Sequence, residues 1–413
     1  MPAASSRLGA PPFRLVGLAA GVAAVLLAAA CSSSSSASSS AASSSAASSS
    51  SASSSAASSS TASATGSGGS GLSSADQAGL AKAEAVLATA EKEPTQITST
   101  GKIGKTIPKN ETIDWISCGA TPECVQENSI IQQADDLLGW KTVVLNNDGT
   151  PQQEKADFNQ VVASKPAAVL YSAIPASVFA SEVPAMKKNG TFIAATSITD
   201  AVGSSTGIDY AISTPSQVPP IAGAQAALFA TGSQDSGQVL VVNIPDFLIL
   251  NISVADFKSA LSTYCPTCSM SELNIALSNI GTATSTTVSY LRAHPSIKWV
   301  VAETDALTVG LPSALKAAGL SDIKIIGQGA TPTNIQYLHT NDEYADVAFD
   351  YYEELYAMVN AAAQHAAGVT VQPSNPAPLW VLTPSNAPAT AAAAFPVVQN
   401  YKQQYAALWG VSS

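Results

Sequence analysis

Five cysteines carry most of the chemical potential of this 413-residue chain. Cys118 and Cys124 lie six apart, and Cys265-Pro-Thr-Cys268 falls where a helix is expected to end. In an exported chain disulfides are permitted, and the expected pairs are local, Cys118–Cys124 and Cys265–Cys268. A redox role for Cys265 and Cys268 is the sharper alternative. Active redox pairs usually open a helix, where the dipole lowers the thiol pKa; this pair closes one. A four-cysteine zinc site is a third reading and would require distant loops to meet. The histidines, His294, His339 and His365, are scattered, so no His-based metal site is expected. No Gly-x-Ser-x-Gly elbow, His-Glu-x-x-His helix or Cys–His pair occurs, and neither an enzyme nor a cofactor is expected.

The other candidates stand at or just beyond the carboxyl ends of predicted strands. In the first half they are Cys118, Gly119 and Thr121 in one loop, then Ser172, Thr196 and Ser197. In the second half they are Asp246, Phe247, Asn279, Thr304, Asp305 and Gln328, followed by Phe349 and Asp350. Hydroxyl, amide and aromatic groups dominate, a set suited to holding a small polar molecule by hydrogen bonds and ring contact. Each also has a plainer role: Asp305 as a helix cap, Phe247 and Phe349 as core, Gly327-Gln328-Gly329-Ala330 as a tight turn.

What would position these residues is a regular alternation. Strands are predicted at 112–118, 141–146, 167–171 and 192–196, with helices at 123–138, 151–164 and 176–188. A second series places strands at 238–243, 271–276, 297–302 and 323–327, with helices at 217–231, 253–264, 284–293 and 306–318. A helix at 351–367, a strand at 379–383 and a helix at 391–409 follow. A further helix at 73–93, capped by Ser74 and stopped by Pro94, precedes the first series. Short β-branched strands alternating with helices imply parallel sheets covered on both faces. Two doubly wound α/β lobes are the simplest arrangement, with ligand outside the strand carboxyl ends.

The N-terminus reads as an address. Residues 1–14 carry Arg7 and Arg14 and no acid, and residues 15–30 are uncharged and apolar, short for a membrane span. The run Leu27-Ala28-Ala29-Ala30-Cys31 resembles the bacterial lipobox, with Ala28 where leucine is commonest. It implies removal of residues 1–30 and lipidation of Cys31, which accounts for the odd cysteine. Residues 31–72 are rich in Ser and Ala, and no charge occurs between Arg14 and Asp76. Such a tract cannot bury enough apolar surface to order itself and reads as a tether. Its root-mean-square reach is roughly 35 Å. The sequons at Asn110, Asn189 and Asn251 are discounted, since a lipobox implies a bacterium.

Composition narrows the partners. Lys and Arg number 18 against 29 Asp and Glu, for a net charge of −11. The only arginines are Arg7, Arg14 and Arg292. No basic stripe exists to meet phosphates, so nucleic acid is not an expected partner. Hydrophobic residues make up 46%, much of it alanine, so closely packed helices are expected.

The runs GWKTVVLNNDGTPQQEKADFNQVVASKPAAVLYSAIP and HPSIKWVVAETDALTVGLPSALKAAGLSDIKIIGQGATPTNIQYL resemble periplasmic sugar-binding proteins of the ribose-binding type. The resemblance spans roughly residues 110–370. It implies two lobes, a three-strand hinge and a solute clamped between them for an ABC importer. The lobes would be 111–213 with 350–378, and 214–349 with 379–413, after an N-terminal helix and connector at 73–110. The family's aromatic first-strand loop is matched by the Cys118–Cys124 loop, and its Asp-Arg after the fourth strand by Thr196 and Ser197. Its Asn-Asp is matched by Thr304 and Asp305, its Phe-Asp by Gln328 and Gly329, and its final Gln falls near Phe349. The charged sugar-gripping set is largely missing. The resemblance therefore implies a sugar held by other groups or a less polar, sugar-like ligand. The expected partners are that ligand, an ABC permease and, through Cys31, the outer face of the cytoplasmic membrane, with the protein a monomer. A receptor signalling to a membrane kinase and a wall-associated adhesive lipoprotein are the alternatives.

Overall fold

Helix boundaries follow local capping chemistry. α1 (Ser74–Ala90) starts at Ser73, whose hydroxyl accepts from the Asp76 amide; the cap is Ser73 and not Ser74. The computed structural model describes residues 72–389 and 395–412. The expected signal segment, Cys31 and the expected tether, up to residue 71, lie outside the described residues.

The first lobe runs β1 (Thr112–Ile116), α2 (Pro122–Leu138), β2 (Lys141–Leu145), α3 (Pro151–Ser164), β3 (Ala168–Ser172), α4 (Val183–Asn189), β4 (Phe192–Thr196) and β5 (Tyr210–Ile212). The second runs α5 (Pro219–Ser233), β6 (Gln238–Asn243), α6 (Leu248–Tyr264), β7 (Ser269–Asn274), α7 (Ala283–Ala293), β8 (Ile297–Ala302), α8 (Leu311–Ala317), β9 (Lys324–Gln328), α9 (Pro332–His339) and β10 (Ala345–Phe349). Then come α10 (Tyr351–Ala366), β11 (Leu379–Leu382) and α11 (Tyr401–Trp409).

Two sheets result. The first has the order β2-β1-β3-β4-β5, all parallel. The second has the order β11-β10-β9-β8-β6-β7, parallel except for β11. In each sheet the chain leaves a central strand, adds one neighbour, then crosses to the other side. The switch points are therefore β1/β3 and β6/β8, where a crevice opens at the strand carboxyl ends. Ile113, Trp115 and Leu170 pack one face of the first sheet onto α2 and α10, while Ile116, Val169 and Tyr171 belong to the core on its other face with Phe158 and Phe179. In the second lobe α5 buries Ala222, Ala224, Ala226, Ala227 and Ala230, so the alanine content serves close helix contact. α1 lies against α5 and α6, and a Cβ at Gly79 would run into the Tyr264 carbonyl.

Several expectations are corrected. The predicted helix over 176–188 is broken into a 3₁₀ turn, Ala176–Val178, and α4, because Pro184 cannot continue a helix from the preceding turn. The same happens over 306–318, where Gly310 at φ +76° and Pro312 separate a 3₁₀ turn, Asp305–Leu307, from α8. α6 begins at Leu248 and not 253, and β5 and α9 were not anticipated. Of the predicted 391–409 helix, residues 391–394 lie outside the described residues and α11 occupies Tyr401–Trp409.

The C-terminal segment also divides differently from the expected 379–413. β11 pairs with β10 in the second sheet, but α11 packs against α10 in the first lobe's core. The reason is an aromatic stripe: Tyr401, Tyr405 and Trp409, four apart, surround Tyr356 of α10 at ring distances of 5.0, 5.1 and 5.8 Å. The N-terminal segment splits the opposite way. α1 joins the second lobe, while the connector after it runs onto the first, with Ile103 and Ile107 in that core. Five described segments thus pass between the lobes, where the resemblance implied three. They follow α1, β5, β10, α10 and β11.

Both disulfides form as the local pairing anticipated. Cys118–Cys124 closes the loop between β1 and α2, and Cys265–Cys268 ends α6, each with Cα atoms 5.3 Å apart. Cys265 is buried in the second lobe's core, a structural position.

Candidate functional site

The two switch points face each other across a cleft whose empty space, counted out to its mouth, is about 730 Å³. Cys118, Thr121, Cys124 and Ser172 line it from one lobe; Phe247, Thr304 and Gln328 line it from the other. Ser197 and Phe349 complete the part of the wall that the sequence foresaw.

Backbone geometry shapes the first-lobe wall. Ala173, Ser197 and Ser213 follow β3, β4 and β5, and all three adopt left-handed conformations, φ +59°, +56° and +55°. Each turns the chain sharply at the cleft wall. Strain at non-glycine residues in successive strand ends is the kind that surrounding structure sustains at functional sites. Ser197 N still donates to Ile212 O (3.1 Å), so the ladder is continued through the turn.

Sequence reasoning missed the wall's main electrostatic feature, its carboxyl groups. Glu123 and Glu127 project from α2 one turn apart, and Glu303 follows β8; all three line the cleft and are buried. Glu354 of α10 lies behind Ser197 and Thr196, accepting from Ser197 Oγ (3.2 Å) and from the Thr196 hydroxyl. Ser172 Oγ donates to Glu127 Oε1 (3.2 Å). Thr304 Oγ1 donates to Glu123 Oε1 (3.4 Å), a bond that joins the two lobes across the cleft. Burial raises every one of these carboxyls: Glu123 to about 7, with Asp305 adding repulsion, Glu303 to about 8, Glu354 to about 7, and Glu127 well above its ordinary value. No Lys, Arg or His is among the lining residues. The available signal in the sequence was the i, i+4 pair Glu123 and Glu127 with no basic neighbour on its helix, together with the position of Glu303 beside Thr304.

Other foreseen residues do not line the cleft. Asp305 is fully buried beneath the turn after β9 and accepts from Gln328 N (3.0 Å) and Thr331 N (2.7 Å). It lies against Glu343 and Asp346, all three carboxyl groups within 4.8 Å of one another. It is therefore neither a wall residue nor the cap of the next helix. Asp350 is buried and caps α10. Asp246 is exposed and accepts from Leu277 N (2.8 Å). Asn279 is exposed in the 3₁₀ turn Leu277–Thr282, whose own bonds use its carbonyl. Gly119 is buried against Gly149 of the neighbouring loop, and Thr196 sits one layer deep on Glu354. Tyr351, one of the aromatics after Phe349 that could stack on a ring, contacts Phe349 edge to face at 5.2 Å and lines the cleft.

Two doubly wound lobes and opposed switch points with a cleft between them define a two-lobed binding protein of the type I class. Residues 106–370 match the family described as periplasmic binding protein domain. The chain belongs to that family. No curated protein matches it. Among solved structures, an ABC sugar transporter subunit from Rhodobacter sphaeroides is 20% identical, covering 67% of this chain and 99% of its own at TM-score 0.59. An Agrobacterium vitis ABC transporter solute-binding protein with bound allitol is 18% identical, covering 68% and 97% at TM-score 0.60. A Mycobacterium smegmatis ABC transporter solute-binding protein with bound glycerol is 17% identical, covering 69% and 99% at TM-score 0.60. At these identities the likeness is one of fold.

Proposed function

We propose that the protein is an extracytoplasmic receptor that captures a small, polyhydroxylated, sugar-like solute between its lobes and delivers it to an ABC importer. The single observation that carries this reading is the cleft itself. It joins both topological switch points and is lined by Ser172, Ser197, Ser213, Thr304 and Gln328, with Phe247, Phe349 and Tyr351 as ring faces. Such a wall supplies hydroxyl and amide hydrogen bonds plus apolar contact, which suits a polyol or pyranose ring. The bond from Thr304 to Glu123 spans the lobes, so a solute touching both sides favours the closed form that a permease would recognise. The allitol, arabinose and glycerol held by the similar structures support the size and polarity of this solute class. Lipidation at Cys31 would anchor the receptor, and a monomer suffices for this role.

A thermal-shift screen against pentoses, hexoses, polyols and their amino derivatives, followed by calorimetry on each hit, tests the reading. Saturable binding at a 1:1 ratio is the expected result. No stabilisation by any solute would remove the receptor reading.

A further inference from the structure

Among the described residues, no Lys, Arg or His lines the cleft beside its carboxyl groups. Glu123 and Glu127 enter from the first lobe and Glu303 from the second. Both oxygens of Glu303 lack a hydrogen-bond partner, as does Oε2 of Glu123 and of Glu354, and all are buried. The groups that face Glu303 from β7 and α6 are Glu272, Asp256 and the hydroxyl of Ser253. Those that face Glu123 and Glu127 are Asp305, Glu354, Tyr351 and the hydroxyls of Thr121, Thr304 and Ser172. None of these is basic. The ion pairs of the described residues lie elsewhere, at Lys155–Glu182, Lys187–Asp209, Lys298–Asp322 and Lys316–Asp342.

Because the acids stand on both lobes, closing the cleft brings like charge together. Asp305 of the second lobe already adds its repulsion to the burial that raises Glu123 of the first. A neutral solute can donate hydrogen bonds to these oxygens but leaves the charge uncompensated. An ammonium group supplies both the donors and the charge, and a buried carboxylate gains most from a paired, hydrogen-bonded cation.

We propose that the solute carries a protonated amine, so that the receptor prefers an amino sugar or amino polyol to its neutral counterpart. This rests on the solute-capture reading above. The amine sits between Glu303 and the Glu123–Glu127 pair, and closure is driven by its charge as well as by its hydroxyls.

Calorimetry on the whole protein with matched pairs decides it: glucosamine against glucose, galactosamine against galactose, and glucamine against sorbitol. At pH 7.5 at least one amine is expected to bind tenfold or more tightly than its neutral partner. At pH 5.5 the preference for glucamine over sorbitol, the pair whose amine stays charged across this range, is expected to shrink at least fivefold as the facing carboxyls take up protons. Glu303→Gln is expected to narrow the preference in the same sense, with a melting curve to check folding; the wild-type pairs decide the matter if that variant does not fold. Equal or tighter binding of the neutral partners would overturn the amine and leave solute capture standing. Binding by neither member of any pair, with no shift in melting temperature across the wider screen, would overturn both.

Discussion

Asp350 joins three parts of the chain at one point. Its carboxylate accepts from Tyr352 N and Glu353 N (both 3.1 Å), starting α10, and from Val398 N (3.1 Å), where the C-terminal segment reaches the first lobe. Burial raises its pKa to about 7, yet the amides give it partners wherever it is charged. Asp350→Ala would leave those buried amides without an acceptor, at a cost of roughly 2–4 kcal/mol. A lowered urea midpoint with an unchanged slope is the expected outcome; an unmoved midpoint would mean that water replaces the carboxylate. At this scale the sequence exposed which loops reach the cleft but not which side chains do. Ser172, Thr304 and Gln328 were legible because strand ends in a doubly wound sheet point there. Asp305 was not, because whether a carboxylate turns toward the cleft or under the β9 turn depends on amides that arrive from residues 328 and 331.

Elements pack by shape, and the smallest residues set how near they come. α1 meets the end of α6 at Gly79, where the Tyr264 carbonyl leaves no space for a methyl group. Gly79→Ala gains helix propensity of about 1 kcal/mol in the unfolded-to-helix step but overpacks the contact, typically costing 1–3 kcal/mol. A net loss of thermal stability is expected, measured by calorimetric scanning; a stabilised variant would show that α1 can slide away freely. The two disulfides should differ in what they support. Each closes a short loop, so the entropic gain is modest, roughly 2 kcal/mol on the loop-length model. Cys118→Ser with Cys124→Ser should weaken solute binding more than stability, since that loop lines the cleft. Cys265→Ser with Cys268→Ser should lower stability and leave affinity alone, because Cys265 is core. Calorimetry and melting curves on both double variants distinguish the two. Periodicity located most helices and strands because burial on one face repeats along an element. It missed α9 and β5, which are short, and it ran through Pro184 and Pro312, where a local rule overrides the apolar pattern.

The whole molecule carries its charge in two populations with opposite pH behaviour. Exposed Asp322 and half-buried Asp342 are held below their ordinary values by Lys298 and Lys316, so their contribution is lost as pH falls below about 4. Buried Glu123, Glu354 and Asp135 are raised to about 7 and Glu303 to about 8, from ordinary values of 4.5 for Glu and 3.8 for Asp. In the unfolded chain these groups ionise near their ordinary values, while in the folded chain they keep their protons until pH 7 to 8. The folded state therefore binds more protons across that window, and stability falls as pH rises through it. The melting temperature is expected to be higher near pH 5 than at pH 8, by roughly 5 °C or more; a flat profile would mean that water reaches these carboxyls. The proposed lipid anchor belongs to the same scale. Cys31→Ser is expected to release the protein from the membrane fraction, and a variant that stays bound would make the apolar leader an uncleaved anchor.

The sequence alone determined the repeating strand–helix units, the doubly wound character of both lobes and the local disulfides, because each depends on neighbours within a few dozen residues. Only the tertiary structure decided that α1 joins the second lobe and α11 the first, giving five passages between lobes among the described residues. It also decided that carboxyl groups from both lobes share one cleft with no Lys, Arg or His among its described lining residues. Both outcomes depend on surfaces brought together from distant parts of the chain: the aromatic stripe of α11 needs the face of α10 around Tyr356, and Glu123 meets Thr304 only where the two lobes approach each other.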